Sequence, residues 1–198
     1  LDAFVVKCDV IIHLAAMNRH ENQQVIYDTN ILLTRQLIAS LKRTDSSAHV
    51  IFSSSTQEDR DNLYVMSKKK GREMLNVWSE NSGGKFSALV IPNVFGPFGR
   101  PYYNSVIATF CHQLVNNEPS TVNGNSYINL IYVSELVAEF INCIRKGIDC
   151  SGFSECLLVN HTKSIGVNDL FIKLADFKDN YLKKGVIPKL SDSFEINI

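Results

Sequence analysis

The sequence has no apolar stretch long enough to cross a membrane. Its longest apolar runs, at 10–12 and 157–159, fall far short of the roughly 20 residues that a membrane-spanning helix needs. No basic leader precedes an apolar segment, so no secretory signal is indicated. The 20 Lys+Arg balance the 20 Asp+Glu, which argues against binding to nucleic acid or a membrane surface by bulk charge. We therefore expect neither a nucleic-acid partner nor a membrane, and a cytoplasmic location.

Cysteine is sparse, and its spacing is not that of a metal or disulfide site. The five cysteines are odd in number and form no CxxC pair, and the histidines show no paired ligand spacing. We predict reduced thiols, as in a cytosolic protein, and no metal site. The cysteines are Cys8, Cys111, Cys143, Cys150 and Cys156.

Apolar runs alternate with segments of helical periodicity along most of the chain. Strands are predicted at 10–16, 49–53, 86–91, 128–132 and 156–160, and helices at 22–42, 63–78, 103–114, 134–145 and 167–183. Ser134 suits the N-cap of the fourth helix, and Gly83–Gly84 should end the second. This alternation is typical of βαβ units, so we predict a doubly wound α/β domain with a parallel sheet.

Polar residues follow three of the predicted strands. Asn18 comes after the first strand, the run 53–56 (SSST) closes the second, and Asn93 follows the third. Because ligands of such sheets bind at the carboxyl ends of the strands, these residues should border one crevice.

The strongest chemical signal is Ser55 with Tyr64 and Lys68. Tyr64 and Lys68 lie four residues apart, hence on one face of a helix. A neighbouring ammonium favours the phenolate form and makes a tyrosine usable as a general acid or base. A YxxxK spacing alone is common on surface helices, where it is a half-buried Tyr beside a solvated Lys. Its place after a strand ending in serines, and before a strand ending in Pro-Asn, favours the catalytic interpretation.

The order of motifs resembles the extended short-chain dehydrogenase/reductases. The motifs are IIHLAA, TNILLTRQL, VIFSSS, YVMSK and PNVFGP. Within that superfamily, SSSTQ and YNSVIATFC resemble the bifunctional capsular-polysaccharide enzymes, which reduce a UDP-4-keto-hexosamine on the way to UDP-N-acetyl-L-fucosamine. The resemblance implies a Rossmann-like domain and a nicotinamide cofactor, with NADPH favoured over NADH. It also implies a nucleotide-sugar substrate and a homodimer.

The resemblance also implies roles for individual residues. Ser55, with Thr56 as the alternative, would orient the substrate oxygen. Tyr64 would donate the proton, and Lys68 would lower the pKa of Tyr64 and bind the nicotinamide ribose. The implied cofactor-binding residues are Leu14, Ala15, Ala16, Asn30, Lys68, Asn93 and Val94, and the implied substrate-binding residues are Asn18, Arg19, Thr56, Asn93, Arg100, Tyr103 and Asn104.

The chain departs from this family in several places. It has no GxxGxxG fingerprint, whose backbone holds the pyrophosphate, so we expect the first strands of the sheet to lie upstream. We interpret 1–198 as a single partial domain, with a core at about 9–115 and a substrate-binding portion at about 116–198, and without the cupin domain of the capsular enzymes. Leu63 and Val65 stand where the family has Pro and Gly.

Three alternatives stay open from the sequence. A 4-epimerase would use the same three residues. An inactive remnant or binding module would explain the missing glycine loop, and the 198-residue chain alone is expected to be inactive. A dehydratase is disfavoured, because Thr56–Gln57 replaces the Asp-Glu pair which that reaction needs.

Overall fold

The computed structural model describes residues 1–58, 61–120, 122, 126–149 and 154–198. Cys150 and parts of the polar loops near 59–60 and 121–125 lie outside the described residues. Two compact units are formed, one from Leu1–Ile91 with Ala138–Val159, the other from Pro92–Val137 with Asn160–Ile198. The predicted division into a core and a substrate-binding portion stays a prediction.

The first unit contains a parallel four-stranded sheet in the order β1-β2-β3-β6. Its strands are β1 (Val10–His13), β2 (His49–Ser55), β3 (Phe86–Ile91) and β6 (Ser154–Leu158), and its helices are α1 (Asp2–Val5), α2 (Gln23–Arg43), α3 (Leu63–Ser82) and most of α5 (Val133–Asp149). The predicted α/β class with a parallel sheet is confirmed.

Local signals explain where the two long helices begin and end. The side chain of Asn22 accepts a hydrogen bond from the Gln24 amide at the start of α2 (2.9 Å), and Asn62 does the same for Val65 at the start of α3 (3.0 Å). Gly83 ends α3 with a φ of 67°, as expected from a glycine C-cap.

The core of the first unit lies between the sheet and these helices. Leu75 of α3 is fully buried, and so are Val50 of β2 and Ala88 of β3. Helix α3 also comes close to the sheet at Gly71. A β-carbon there would stand 3.1 Å from the ring of Phe52, tighter than an ordinary contact.

The second unit is built on a smaller sheet in the order β4-β5-β7. β4 (Asn93–Phe95) pairs parallel with β5 (Tyr127–Tyr132), and β5 pairs antiparallel with β7 (Lys163–Gly166). The helices are α4 (Val106–Asn116), α6 (Val167–Lys178), which continues as a π-helix (Asp179–Lys184), and α7 (Ser193–Asn197). Leu130, Leu170 and Phe194 lie in its apolar core.

Several predicted boundaries were wrong. The strand predicted at 10–16 ends at His13, because its ladder with β2 has only four residue pairs. The helix predicted from 103 begins at Val106, since Ser105 caps it through the Ala108 amide (3.2 Å). Ser134 is not an N-cap: it lies inside α5, and the Glu135 carboxylate accepts the Tyr132 amide instead (3.1 Å).

Four elements were not predicted from the sequence. Two of them are the short helices α1 and α7, and the other two are the strands β4 and β7. The expected end of the third strand at Pro92–Asn93 is correct for β3, but Asn93 at once begins β4. These elements have three to five residues each, too few for a periodic pattern to be visible.

Candidate active site

Lys68 is the charged side chain around which the candidate site is built. It lies on α3 and is only 4% exposed. Its Nζ donates to Ser53 Oγ at 3.3 Å and stands 4.3 Å from the centre of the Phe52 ring, a distance at which the ring stabilises a cation. Burial lowers the pKa of Lys68 to about 8, although the nearby Glu58 carboxylate opposes this effect. The ammonium therefore titrates near neutral pH.

Tyr64 lies one turn before Lys68 on the same helix. It belongs to the first turn of α3, directly after the Asn62 cap, and its side chain is half-buried. The four-residue spacing places the phenol and the ammonium on one face of α3. Such a pair has the elements of an acid–base unit in which a cation stabilises a phenolate.

Ser55 is the last residue of β2, and Thr56 follows it into a turn. Ser55 is half-buried, and its Oγ accepts a hydrogen bond from the Gln57 amide at 3.2 Å. Thr56 is exposed, and its amide donates to the Ile91 carbonyl of β3 at 3.0 Å. Both residues thus lie at the carboxyl end of β2, where the sequence analysis expected a substrate-orienting group.

Asn30 of α2 connects the segment after β1 to α3. Only 5% exposed, it accepts from the Met17 amide (2.7 Å) and donates to the Met17 carbonyl (2.9 Å). It also donates to Ser67 Oγ (2.8 Å), and Ser67 donates to the Tyr64 carbonyl (2.6 Å). The backbone of Tyr64 is therefore linked through two side chains to the loop beyond β1.

The segment after β1 provides apolar surface and one unsatisfied acceptor. Leu14 and Ala15 are exposed and Ala16 is half-exposed, while Arg19 is exposed. Asn18 Oδ1 is buried and accepts no hydrogen bond from the part of the chain that the structure describes. A buried acceptor beside exposed apolar residues fits a flat aromatic ligand with an amide donor, as in the nicotinamide of a dinucleotide.

The remaining predicted residues belong to the second unit. Asn93 lies on β4 and donates to the Asn129 carbonyl at 3.2 Å, and its neighbour Val94 is 36% exposed. The Arg100 guanidinium lies 5.6 Å from the centre of the Tyr103 ring, and both side chains are exposed. Asn104 is also exposed. This loop presents a cation, an aromatic face and an amide to solvent.

His13 ends β1 and is buried, with its ring edge-on to Phe52 at 5.5 Å between centres. Burial, and secondly the positive charge of Lys68, lower the pKa of His13 to about 4. His13 is therefore neutral at physiological pH and adds no positive charge beside Lys68.

Sequence reasoning missed several residues that surround Lys68. Phe52 and Ser53 contact its ammonium, and the pair formed by Glu58 and Arg72 lies on the same side of α3. Ser53 was visible within the serine run, but only the last serine was singled out. The spacing of Arg72 four residues after Lys68 was a usable signal, since it places a second cation on the same helix face.

A parallel α/β sheet whose serine-rich strand end precedes a helix with Tyr64 and Lys68 defines the class of short-chain dehydrogenase/reductases. Residues 1–149 match the NAD dependent epimerase/dehydratase family, and the chain belongs to that family. The resemblance stated from the sequence is confirmed.

Known relatives give this assignment more detail. A curated protein of Pseudomonas aeruginosa, UDP-2-acetamido-2,6-beta-L-arabino-hexul-4-ose reductase, is 32% identical over 181 residues, which are 91% of this chain and 48% of the relative. The crystal structure of the capsular polysaccharide assembling protein CapF from Staphylococcus aureus is 30% identical, with a TM-score of 0.79, over 99% of this chain and 53% of that protein. This chain thus spans about half the length of both.

More distant structures share the fold. A UDP-N-acetylglucosamine 4-epimerase from Methanobrevibacter ruminantium is 22% identical with a TM-score of 0.78, over 99% of this chain and 76% of that protein. At this identity the likeness supports the fold alone. In the described part of the chain, no helix is long and apolar enough to cross a membrane.

Proposed function

We propose that the protein containing this chain is an NAD(P)H-dependent oxidoreductase that reduces the C4 ketone of a UDP-linked 2-acetamido-2,6-dideoxy-hexose. The observation that carries the proposal is the buried Lys68, one helical turn from Tyr64 and hydrogen-bonded at the hydroxyl-rich end of β2. The choice of substrate is supported by the activity for which the Pseudomonas aeruginosa relative is named. The reduction would belong to capsular or O-antigen polysaccharide precursor synthesis, as the similarity to CapF suggests.

In this proposal the cofactor supplies a hydride to the ketone carbon, and the protein supplies the proton and the geometry. Tyr64 transfers its phenolic proton to the oxygen that was the ketone, which becomes the C4 hydroxyl. Ser55, or Thr56 in its place, donates a hydrogen bond to the same oxygen and fixes its position. Lys68 stabilises the tyrosinate left behind, so that the proton transfer is favourable near neutral pH.

The same proposal assigns binding roles to both units. Leu14, Ala15, Ala16 and Asn30, with Lys68, Asn93 and Val94, would hold the cofactor, and NADPH is the form that we favour. Asn18, Arg19, Thr56 and Asn93, with the exposed Arg100, Tyr103 and Asn104, would bind the nucleotide sugar. An exposed guanidinium suits a diphosphate, and an aromatic ring suits a base or a sugar face.

A sugar-nucleotide 4-epimerase is the second candidate, because residues 1–149 match the NAD dependent epimerase/dehydratase family and an epimerase would use the same serine, tyrosine and lysine. The two reactions differ in stoichiometry. A reductase consumes one NAD(P)H for each sugar, whereas an epimerase oxidises and re-reduces its substrate and consumes none.

The test uses the full-length protein that contains these residues, with a UDP-4-keto-hexosamine and NADPH or NADH. We expect loss of absorbance at the reduced nicotinamide band, with one alcohol formed per cofactor oxidised. Tyr64→Phe should lower kcat by about 100-fold or more, the range of general acid catalysis, while cofactor binding stays close to normal. Tyr127→Phe, at a 75% exposed tyrosine, is the matched control.

Three results would contradict the proposal. Undiminished turnover in Tyr64→Phe would remove its proton-donor role. Conversion of a UDP-sugar to its C4 epimer without net cofactor oxidation would establish the epimerase, and absence of both activities in a folded protein would favour a binding module.

We also propose a cytoplasmic homodimer. The four cysteines in the described part of the chain are free thiols, as in a reducing compartment. Leu32 of α2 and Val77 of α3 are each 53% exposed, and these are the helices for which the family resemblance implies pairing between subunits. Analytical ultracentrifugation of the full-length protein would distinguish a dimer from a monomer.

A further inference from the structure

The carboxylate of Glu58 joins three segments around the candidate site. Its Oε2 accepts from Arg72 Nη2 at 2.7 Å, and its Oε1 accepts from Arg72 Nε at 3.1 Å and from the hydroxyl of Ser54. Ser54 belongs to β2, Glu58 to the connection after β2, and Arg72 to α3. We call these three residues the Glu58 clamp.

The Glu58 clamp is a built ion pair rather than a surface contact. The Glu58 side chain is 10% exposed, the Arg72 side chain 24%, and Ser54 as a residue 5%. Burial alone would raise the pKa of Glu58. The hydrogen bonds from Arg72 and Ser54 together have the larger opposite effect, so the pKa lies below its usual value. A bidentate guanidinium with a third donor is the arrangement that compensates a partly buried carboxylate.

The position of the Glu58 clamp relates it to the proposed catalytic groups. Ser54 directly precedes Ser55, and the Glu58 amide donates to the Ser55 carbonyl at 3.1 Å. Arg72 follows Lys68 by one helical turn, as Lys68 follows Tyr64, so all three share one face of α3. The clamp therefore ties the end of β2 to the helix that carries Tyr64 and Lys68.

The charge of Glu58 also acts on Lys68. Among the residues that the structure describes, the charged or titratable groups around Lys68 are His13 from β1, which is neutral, Glu58 from the connection, and Tyr64 and Arg72 on its own helix. Lys69, on α3, also acts on Glu58. Because Arg72 binds the Glu58 carboxylate directly, Glu58 stabilises the ammonium at a distance and leaves it bonded to Ser53.

We propose that Glu58, held by Ser54 and Arg72, is a positioning residue of the active site: it fixes Ser55 relative to α3 and places a negative charge near Lys68. The inference rests on the proposed reductase function, and it adds a residue outside the serine, tyrosine and lysine set. The inference has two parts, the positioning of Ser55 relative to α3 and the negative charge near Lys68. Two substitutions at Glu58 separate them. Glu58→Gln removes the charge and keeps the shape, while Glu58→Asp keeps the charge and shortens the reach to Arg72.

The experiment measures kcat, KM and the pH–rate profile of the full-length protein, together with a ¹³Cε lysine NMR titration in which Lys68→Arg assigns the Lys68 signal. For Glu58→Gln we expect the Lys68 titration and the alkaline limb of kcat to move to lower pH. For Glu58→Asp we expect the Lys68 titration and the alkaline limb of kcat to stay near their wild-type pH values. We expect kcat to fall by as much as about 100-fold, because Ser55 would no longer be held in its position relative to α3. Glu73→Gln, in the exposed pair with Lys70 on the same helix, is the matched control and should change neither.

The outcomes separate this inference from the proposed function. If the wild-type protein reduces no keto-sugar, the function fails, while the Lys68 titration and hydrogen exchange at amides 55–58 still test the Glu58 clamp. An unshifted Lys68 titration in Glu58→Gln, with kcat equal to that of Glu73→Gln, would overturn the inference. Should Glu58→Gln fail to fold, Ser54→Ala, which removes one hydrogen bond and no charge, is expected to speed exchange at 55–58, and unchanged exchange would overturn the positioning part.

Discussion

The two units of the chain place their candidate functional groups in opposite environments. In the first unit, Lys68 and Asn30 are 4% and 5% exposed and lie at one end of a parallel sheet. In the second unit, Tyr103 is 38% exposed, and Arg100 and Asn104 are exposed on a loop. In the proposed site, the first unit would therefore hold its groups in fixed positions, while the second would present exposed groups to a ligand.

This difference follows from the cost of burying polar groups. A buried lysine or asparagine must be hydrogen-bonded, and the partners that satisfy it also hold it in one place. Exposed side chains on a loop are satisfied by water and keep their freedom until a ligand binds. We therefore expect the reaction chemistry from the first unit, and expect the loop of the second unit to contribute to substrate binding together with Asn18, Arg19 and Thr56.

The largest expected effect separates these roles kinetically. Lys68→Met should lower kcat by about 100-fold or more, because the charge next to Tyr64 is lost. Arg100→Ala should raise KM for the nucleotide sugar by about tenfold, the value of one lost charged contact, and leave kcat close to normal. Steady-state kinetics with NADPH checks both.

The opposite pattern would break the comparison. If Arg100→Ala lowered kcat as strongly as Lys68→Met, the loop would take part in the reaction itself. Thermal melts of both variants are the control for unfolding. We expect Lys68→Met to stay folded, because replacing a buried ammonium with an apolar side chain of similar size does not remove core packing.

The second prediction concerns the two apolar cores. Leu75 and Leu170 are both fully buried, one in each unit. Replacing either with Ala should reduce the free energy of unfolding by about 3 kcal/mol, the usual cost of a buried leucine truncation. We expect hydrogen exchange to accelerate mainly in the unit that carries the substitution. Equal acceleration across both units would show that they unfold together.

The third prediction is an acid sensitivity located in the first unit. His13 and His49 are buried there, and burial lowers the pKa of both, that of His13 to about 4. As the pH falls, the unfolded chain takes up these protons at a higher pH than the folded chain does. The contribution of the neutral histidines to the free energy of unfolding is therefore fully present above pH 6.5 and is lost as the pH falls towards 4. His13 alone contributes about 3 kcal/mol to this loss.

Urea unfolding between pH 8 and pH 4.5 measures this loss. His13→Asn should flatten the profile, whereas His161→Asn, at an exposed position of the second unit, should leave it unchanged. A profile that is equally steep in wild type and His13→Asn would place the acid sensitivity elsewhere.

The sequence predicted the first unit better than the second for a physical reason. Buried parallel strands such as β2 and β3 are apolar runs bounded by polar residues, and α2 and α3 carry their own caps in Asn22 and Asn62. β4 and β7 have three and four residues and are partly exposed, so neither length nor alternation marks them. Their pairing with β5 depends on contacts distant in sequence, which a local pattern does not contain.

A similar limit applies to the candidate site. Tyr64 and Lys68 were predicted as site residues from their local helical spacing, and Ser55 from its position at the end of a strand. Glu58 and Arg72 are 14 residues apart on a connection and a helix, so only the folded chain shows their contact. The low pKa of His13 was equally hidden, since it depends on burial and on a lysine 55 residues later in the chain.

Because Gly71 has no side chain, α3 packs close to the sheet, and the position of Lys68 depends on this short separation. A methyl group at this position would press on Phe52, on whose ring the Lys68 ammonium rests, and on the hydroxyl of Thr34, also at 3.1 Å. The position of the ammonium over the Phe52 ring therefore depends on this close packing of α3 against β2 and α2, in addition to the polar contacts of Lys68 and the Glu58 clamp. A single methyl group added at Gly71, three residues after Lys68 on the same helix, would therefore shift the lysine by displacing the Phe52 ring, without changing any charged group.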